Sequence, residues 1–135
     1  MSTTTFSPLL VSYTAALGSG DVDAVLDHFR DDAVYIDEAL GETHQGLPSI
    51  RRFLTESVRT AGRRWLVDQA HETEEGFGLA WHIGGRHDAD LPDCPATGYF
   101  FTIPGMSMVR TDSGRIVRVR DFWNAFDLRR QLHLV

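Results

Sequence analysis

One acidic residue interrupts an apolar row in the segment Gly114–Asn124, near the end of the sequence. Side chains alternate between the two faces of a β-strand, so Asp121 shares a face with Val119 and Trp123, whereas the opposite face carries arginines. An apolar environment removes solvation from a carboxylate and should raise its affinity for a proton. We therefore predict that Asp121 is a general base or general acid.

A tyrosine and a second acid lie two positions apart in Ala33–Asp37, a short β-branched and aromatic run that predicts a strand. Tyr35 and Asp37 then share a face, and the Tyr35 hydroxyl would donate a hydrogen bond to a developing oxyanion. If Asp37 and Asp121 face each other across a dry pocket, one of them should hold its proton. The alternative is a core tyrosine beside a solvated loop acid.

His82 is a further candidate for proton transfer, in a strand where Trp81 and Ile83 share the other face. Its alternative is a histidine satisfied within the sheet. We also predict residues that contact the substrate inside a cavity of the fold. They are chosen because strand alternation places them on the inner face or because they are aromatic, although such residues also build ordinary cores. They are Trp65, Phe101, Ile103, Gly105, Val119 and Trp123, of which Gly105 would leave room for a flat substrate.

Composition favours one ordinary domain over residues 1–135, with 42% hydrophobic and 24% charged residues. The net charge of −6 argues against a nucleic-acid partner, since phosphate binding needs a basic surface. Cys94 is the only cysteine, which excludes an intramolecular disulfide and predicts a free thiol in a reducing cytosol. The histidines have no paired ligand spacing, so we predict neither a metal nor another cofactor.

The N-terminal residues lack a basic start followed by an apolar run, which predicts no signal peptide. No stretch approaches the length of about 18 apolar residues that a membrane span requires. We therefore expect a cytoplasmic protein without a membrane partner.

Apolar periodicity divides the chain into a helical first part and a strand-rich second part. Helices are predicted from Leu9 to a stop at Gly18, after an N-cap at Asp21, and from Pro48 to about Gly62. Strands are predicted at 33–37, 65–72, 77–87, 97–110 and 115–124, followed by an amphipathic segment at 126–134. Helices segregated from an antiparallel meander define an α+β fold, with a curved antiparallel or mixed sheet wrapped around helices as a cone-shaped pocket.

The order of these elements resembles the nuclear-transport-factor-2-like cone fold, over about Leu9 to Leu132. Several segments are similar to the SnoaL-like polyketide cyclases of that fold. They are Gly85-Arg-His87, Pro95-Ala-Thr-Gly98, Pro104-Gly105, Ser113-Gly-Arg-Ile-Val-Arg-Val-Arg-Asp-Phe-Trp-Asn124 and Leu128-Arg-Arg-Gln-Leu132. The resemblance implies an intramolecular aldol closure of an aromatic polyketide ester without metal or organic cofactor, with Asp121 at the position of the acid/base aspartate. It also implies that the face carrying His82 looks into the cone.

Relatives that resemble limonene-epoxide hydrolases use the same strand aspartate to activate water, with a tyrosine and an amide that correspond to Tyr35 and Asp37. They also require an Arg-x-Asp pair on a middle strand, where this chain has Gly84 and Arg86. Arg86-His-Asp88 supplies those residue types two positions later.

We therefore predict a cofactor-independent cyclase or isomerase of specialised metabolism, such as antibiotic biosynthesis, that acts on a hydrophobic polyketide-like carbonyl compound. Asp121 would remove a proton next to the carbonyl, and Tyr35 or His82 would hold the enolate oxygen. The chain is expected to form a homodimer through the outer sheet face. Epoxide opening and non-catalytic binding of a small molecule remain the alternatives.

Overall fold

The computed structural model describes residues 5–61, 64–90 and 94–135. The helices in these ranges are α1 (Pro8–Ser19), α2 (Val22–Leu26), α3 (Leu47–Ala61) and α4 (Ala125–Gln131). The strands are β1 (Phe29–Asp37), β2 (Glu42–Gln45), β3 (Arg64–Thr73), β4 (Gly76–Arg86), β5 (Phe100–Asp112) and β6 (Arg115–Trp123). This content confirms the predicted α+β class.

The strands form one mixed sheet in the order β2-β1-β6-β5-β4-β3. All neighbours are antiparallel except β1 and β6, which run parallel. This parallel pair joins the first strand of the chain to the last, so residues from both ends of the sequence meet at the middle of the sheet. The four-stranded meander predicted for the second half is present as β3 to β6.

Two local predictions were wrong. Helix α1 passes through Gly18 and ends at Ser19, and Gly20, with a φ of 72°, provides the left-handed C-cap that the prediction placed two residues earlier. The segment Glu42–Gln45, where no strand was predicted, is a short strand paired with β1. Its side chains are mostly exposed, so it lacks the apolar alternation that identifies a strand in sequence.

The helices cover one face of the sheet, and the core lies between them. Odd-numbered residues of β4, β5 and β6 point into this core, as Leu79, Ile103 and Val119 do with no exposed surface. Even-numbered residues of β4, β5 and most of β6 form the opposite, outer face, which carries several exposed apolar side chains. Ile116 is the exception, because the register of β5 with β6 shifts near it and its side chain is buried in the core. In the described part of the chain, no helix has both the length and the apolar character to cross a membrane.

Candidate active site

Asp121 is buried on the inner face of β6, with 3% of its surface exposed, as strand alternation predicts. Two hydroxyl groups contact its carboxylate. Ser107 Oγ lies 2.5 Å from Oδ1, and the hydroxyl of Tyr35 donates to Oδ2. Hydrogen bonds of this kind stabilise the ionised form of a carboxylate that has lost its hydration. The arrangement therefore gives the buried carboxylate two fixed hydrogen-bond donors.

Tyr35 reaches Asp121 from the neighbouring strand β1 and is itself 2% exposed. Burial raises the pKa of Tyr35 well above its ordinary value, and the adjacent charge of Asp121 raises it further. Burial and the charge of Asp121 likewise raise the pKa of Tyr13, which approaches from α1. Both phenols therefore remain protonated, and Tyr35 acts as a hydrogen-bond donor.

Asp37 lies beside Asp121, because the two residues are partners in the parallel register of β1 and β6. Its carboxylate is 4% exposed and has donors of its own. The indole Nε1 of Trp123 lies 3.1 and 3.0 Å from its two oxygens, and the backbone N–H of Leu40 lies 2.9 Å from Oδ1. The two acids are thus lateral neighbours within one sheet rather than groups opposed across a pocket.

Trp81 and Ser107 belong to the same buried network, although the sequence interpretation did not assign them to the site. Trp81 Nε1 lies 2.8 Å from Ser107 Oγ, which in turn contacts Asp121. A signal for Ser107 was present, because it is the one polar side chain in the inward row Phe101, Ile103, Gly105, Ser107 and Val109. Trp81 carried no such signal, since a tryptophan in a buried strand usually serves the core.

Phe101 and Ile103 lie on the inner face with Gly105, as predicted, and Trp65 is buried there as well. The expectation that Gly105 leaves room for a flat substrate is wrong. A Cβ atom at Gly105 would lie 2.3 to 2.8 Å from three ring atoms of Trp81, so this indole occupies the space that the glycine creates. Trp65 meets the same indole edge to face, with a centroid distance of 6.2 Å.

The prediction that His82 faces the interior is wrong. Trp81 and Ile83 take the buried face of β4, so His82 projects from the outer face. There its Nδ1 lies 2.9 Å from Oδ2 of Asp68, in a half-exposed pair. The alternative of a satisfied sheet histidine fits this contact.

The Arg-x-Asp residues also lie away from Asp121. Arg86 and Asp88 pair with each other at 3.1 Å, and both side chains are more than half exposed. The guanidinium contacts the carbonyl of Gly98 and lies over the ring of Phe100. The described residues therefore do not assemble the arginine and aspartate that an epoxide-hydrolase arrangement would add to the strand aspartate.

His87, from the Gly-x-His motif, is buried at the end of β4. Its Nδ1 accepts the backbone N–H of Thr97 at 3.2 Å, so the ring fastens the segment that precedes β5. Cys94 is a free thiol. Across the described ranges, no group of three or more His, Cys, Asp or Glu side chains is placed to hold a metal ion.

A recess of about 400 Å³ lies on the outer face of the sheet, opposite the buried acids. Its floor includes Gly76 and Gly78 of β4, and three arginines line it, namely Arg110, Arg118 and Arg120. Apolar side chains are exposed on the same face, and they are Leu66, Met106, Met108 and Phe122.

The six-stranded mixed sheet with helices on one face, and the burial of Asp121 on its last strand, agree with the cone fold expected from the sequence. Residues 10–119 match the family model of the SnoaL-like domain, and the chain belongs to this family. No functionally curated protein matches the chain.

Solved structures with the same fold include proteins of distant sequence. A proposed polyketide cyclase from Pseudomonas putida is 24% identical, with a TM-score of 0.78 over 91% of this chain and 94% of that one. A proposed SnoaL-like polyketide cyclase from Jannaschia sp. CCS1 is 11% identical, with a TM-score of 0.84 over 96% and 97% of the two chains. A Catenulispora acidiphila protein of ketosteroid isomerase-like fold, in complex with trimethylamine, is 19% identical, with a TM-score of 0.80 over 97% and 96%. These similarities establish a ketosteroid isomerase-like fold.

Proposed function

We propose that this chain is a cofactor-independent enzyme in which Asp121 removes a proton next to a carbonyl of a hydrophobic, polyketide-like substrate. The observation that carries the proposal is the buried carboxylate of Asp121 between the hydroxyls of Tyr35 and Ser107. A carboxylate with little hydration and fixed donors is suited to accept a proton from carbon. The resulting carbanion would then attack an electrophile within the same substrate and close a ring.

Tyr35 is the proposed donor to the enolate oxygen. Its hydroxyl is adjacent to the base, and its raised pKa keeps the proton on the phenol while charge develops on the substrate. A single positioned base contributes about 10²–10⁴-fold, whereas holding two reacting ends together can contribute roughly 7–11 kcal/mol. Binding the substrate in a folded conformation is therefore at least as important as the base, and Trp65, Phe101 and Trp123 are proposed to supply that surface.

The experiment is deuterium uptake from D₂O at the carbon next to a carbonyl, followed by NMR on 2-tetralone and on fused-ring aromatic β-keto esters. The parent protein should accelerate exchange, and Asp121→Asn should lose about 10²-fold or more while remaining folded. Asp68→Asn is the matched control, because this acid is half-exposed on the outer side and should leave the rate unchanged. Exchange that survives in Asp121→Asn, or a parent protein that binds these ketones without exchange, would contradict the proposal. The second result would favour a non-catalytic binding protein.

We also propose that two copies associate through the outer sheet face. Met106, Met108 and Leu66 are each more than half exposed there, on a face that a monomer would leave in water. An isologous dimer would cover both copies of this patch at once. Sedimentation should give a dimer for the parent protein and a monomer for Met108→Glu, with Val11→Glu as the control on an exposed position of α1. A monomeric parent would contradict the proposal.

A further inference from the structure

We infer that Trp81 and Ser107 are positioning residues that keep Asp121 Oδ1 occupied as an acceptor and reserve Oδ2, the oxygen contacted by Tyr35, for the proton taken from the substrate. This inference rests on the proposed function of Asp121 as a base. It assigns a role to two residues that do not touch the reacting atoms.

The hydrogen bonds from Trp81 to Asp121 can run in one direction only. An indole N–H donates and cannot accept, so Ser107 Oγ, at 2.8 Å, must be its acceptor. The single hydrogen of the Ser107 hydroxyl is then available to Asp121 Oδ1, at 2.5 Å. All three side chains are buried, so bulk water does not offer these groups other partners.

This direction makes the two carboxylate oxygens chemically different. A proton placed on Oδ1 would displace the Ser107 hydrogen from its acceptor, and a buried donor without a partner is unfavourable. A proton placed on Oδ2 displaces the hydrogen bond from Tyr35. The phenol can rotate about its C–O bond, whereas the serine hydroxyl is held between the indole and the acid.

The proton balance of the step follows from this difference. The C–H bond of the substrate breaks, a new O–H bond forms at Oδ2, and the electron pair moves to the carbonyl oxygen as an enolate. The Tyr35 hydroxyl loses its anionic acceptor at the same moment and turns toward the new anion on the substrate. Protonation of the base and donation to the enolate are thereby coupled, and no further reactant is needed.

Among the described residues, the titratable neighbours of Asp121 include Tyr13 from α1 and Tyr35 and Asp37 from β1. The two tyrosines stay protonated in the working range, and Asp37 has separate donors in Trp123 and Leu40. A change at Ser107 should therefore be read out at Asp121 itself.

The test uses carboxyl-labelled aspartate and NMR titration of the full chain, without substrate, with the Asp121 signal assigned from Asp121→Asn. Ser107→Ala removes one donor to the carboxylate and should move the titration midpoint of Asp121 upward by roughly one pH unit. Trp81→Phe should move it in the same direction by less, because the serine hydroxyl is retained but no longer directed. Ser107→Thr keeps the hydroxyl and should restore the parent midpoint, which separates the hydrogen bond from any packing change.

The same variants are then measured by deuterium exchange on 2-tetralone. The low-pH limb of the rate should follow the NMR midpoint upward in Ser107→Ala, and kcat should fall more than KM changes. An unmoved or lowered midpoint in Ser107→Ala would overturn the inference even if the parent enzyme exchanges. Absence of exchange by the parent, with the midpoint shifted as expected, would overturn the proposed function and leave the directed hydrogen bonds intact.

Discussion

Asp37 and Asp121 are direct partners across the parallel pair β1 and β6, and both carboxylates are buried. Adjacent strands are about 4.8 Å apart, so the two acids interact strongly when both are ionised. The structure gives each acid a separate set of donors, with an indole and a backbone N–H on Asp37 and two hydroxyls on Asp121. Each of the two neighbouring carboxyl groups therefore has its own hydrogen-bond donors within the protein.

Neutralising Asp37 should change the pH dependence of the proposed exchange reaction. Its negative charge favours proton binding at Asp121, so Asp37→Asn should let Asp121 remain ionised to a lower pH. The low-pH limb of the exchange rate is expected to move down by roughly one pH unit. Glu38→Gln is the control, because Glu38 is exposed and lies 3.6 Å from Arg120 on the outer side. A limb that moves equally in both variants would argue for a general charge effect.

Alkaline pH should destabilise the fold through the two buried tyrosines. The pKa values of Tyr13 and Tyr35 are raised above the ordinary value of 10.0, so the folded state holds both protons more tightly than the unfolded chain does. Their contribution to stability is complete below pH 10 and is lost as the pH rises above it toward the folded-state pKa. Each tyrosine should add about 1.4 kcal/mol per pH unit to the fall in the free energy of unfolding.

Urea unfolding between neutral pH and strongly alkaline pH measures this slope. Tyr35→Phe and Tyr13→Phe should each reduce the slope of the unfolding free energy against pH by the contribution of one proton, whatever effect they have on stability at neutral pH. A slope that is the same in the parent and in both variants would show that neither phenol is linked to unfolding.

The contact between Gly105 and Trp81 predicts a steric defect. A Cβ atom in Gly105→Ala would meet the indole at 2.3 to 2.8 Å, and overpacking of this kind costs about 1–3 kcal/mol. Gly78→Ala is the matched control in the neighbouring strand, since its nearest contact is 3.8 Å and alanine should stabilise a strand by about 0.5–1 kcal/mol.

Denaturant unfolding of the double variant decides whether the indole is the cause. In a Trp81→Phe background the three close ring atoms are removed, so the cost of Gly105→Ala should shrink and the two changes should be non-additive. Additive costs would place the strain of Gly105→Ala elsewhere.

His82 provides a test of the corrected strand orientation. Because it pairs with Asp68 on the outer face, His82→Ala should reduce stability by about 0.2–1 kcal/mol and leave the exchange rate of the ketone probes within about twofold. Parallel measurement of unfolding and exchange checks both values. A loss of exchange comparable to that of Asp121→Asn would return His82 to the list of proton-transfer residues.

Alternation along β6 predicted the burial of Asp121 correctly, because a strand with one apolar and one basic face has only one favourable orientation. The same rule was sufficient for the inward row of β5. For His82, the stronger signal was the apolar pair Trp81 and Ile83, which favours burial of the opposite face of β4. The prediction followed the register implied by the family resemblance instead. Larger apolar side chains gain more from burial than an imidazole does, which explains the observed orientation.

Contacts between distant residues could not be predicted from spacing. The pairing of β1 with β6 follows from the closure of the sheet, and no local pattern in either strand specifies its partner. The hydrogen bond of Trp123 with Asp37 depends on that closure, whereas the hydrogen bond of Trp81 with Ser107 depends on the register of β4 with β5 and on the orientation of the indole. Because spacing gives neither the register nor the indole orientation, the packing of the Trp81 indole over Gly105 was missed, and the glycine was interpreted as open space.

The parallel pairing of β1 with β6 also has a consequence for how the protein is made. Tyr35 and its acid are 86 residues apart in sequence, as are Asp37 and the indole that binds it. Closing a loop of that length is among the slower steps of folding. A nascent chain that has emerged from the ribosome as far as β5 would already carry the phenol and the serine but not the carboxylate they contact. The proposed activity should therefore begin abruptly, with the docking of the last strand, and no truncated translation product should show a fraction of it.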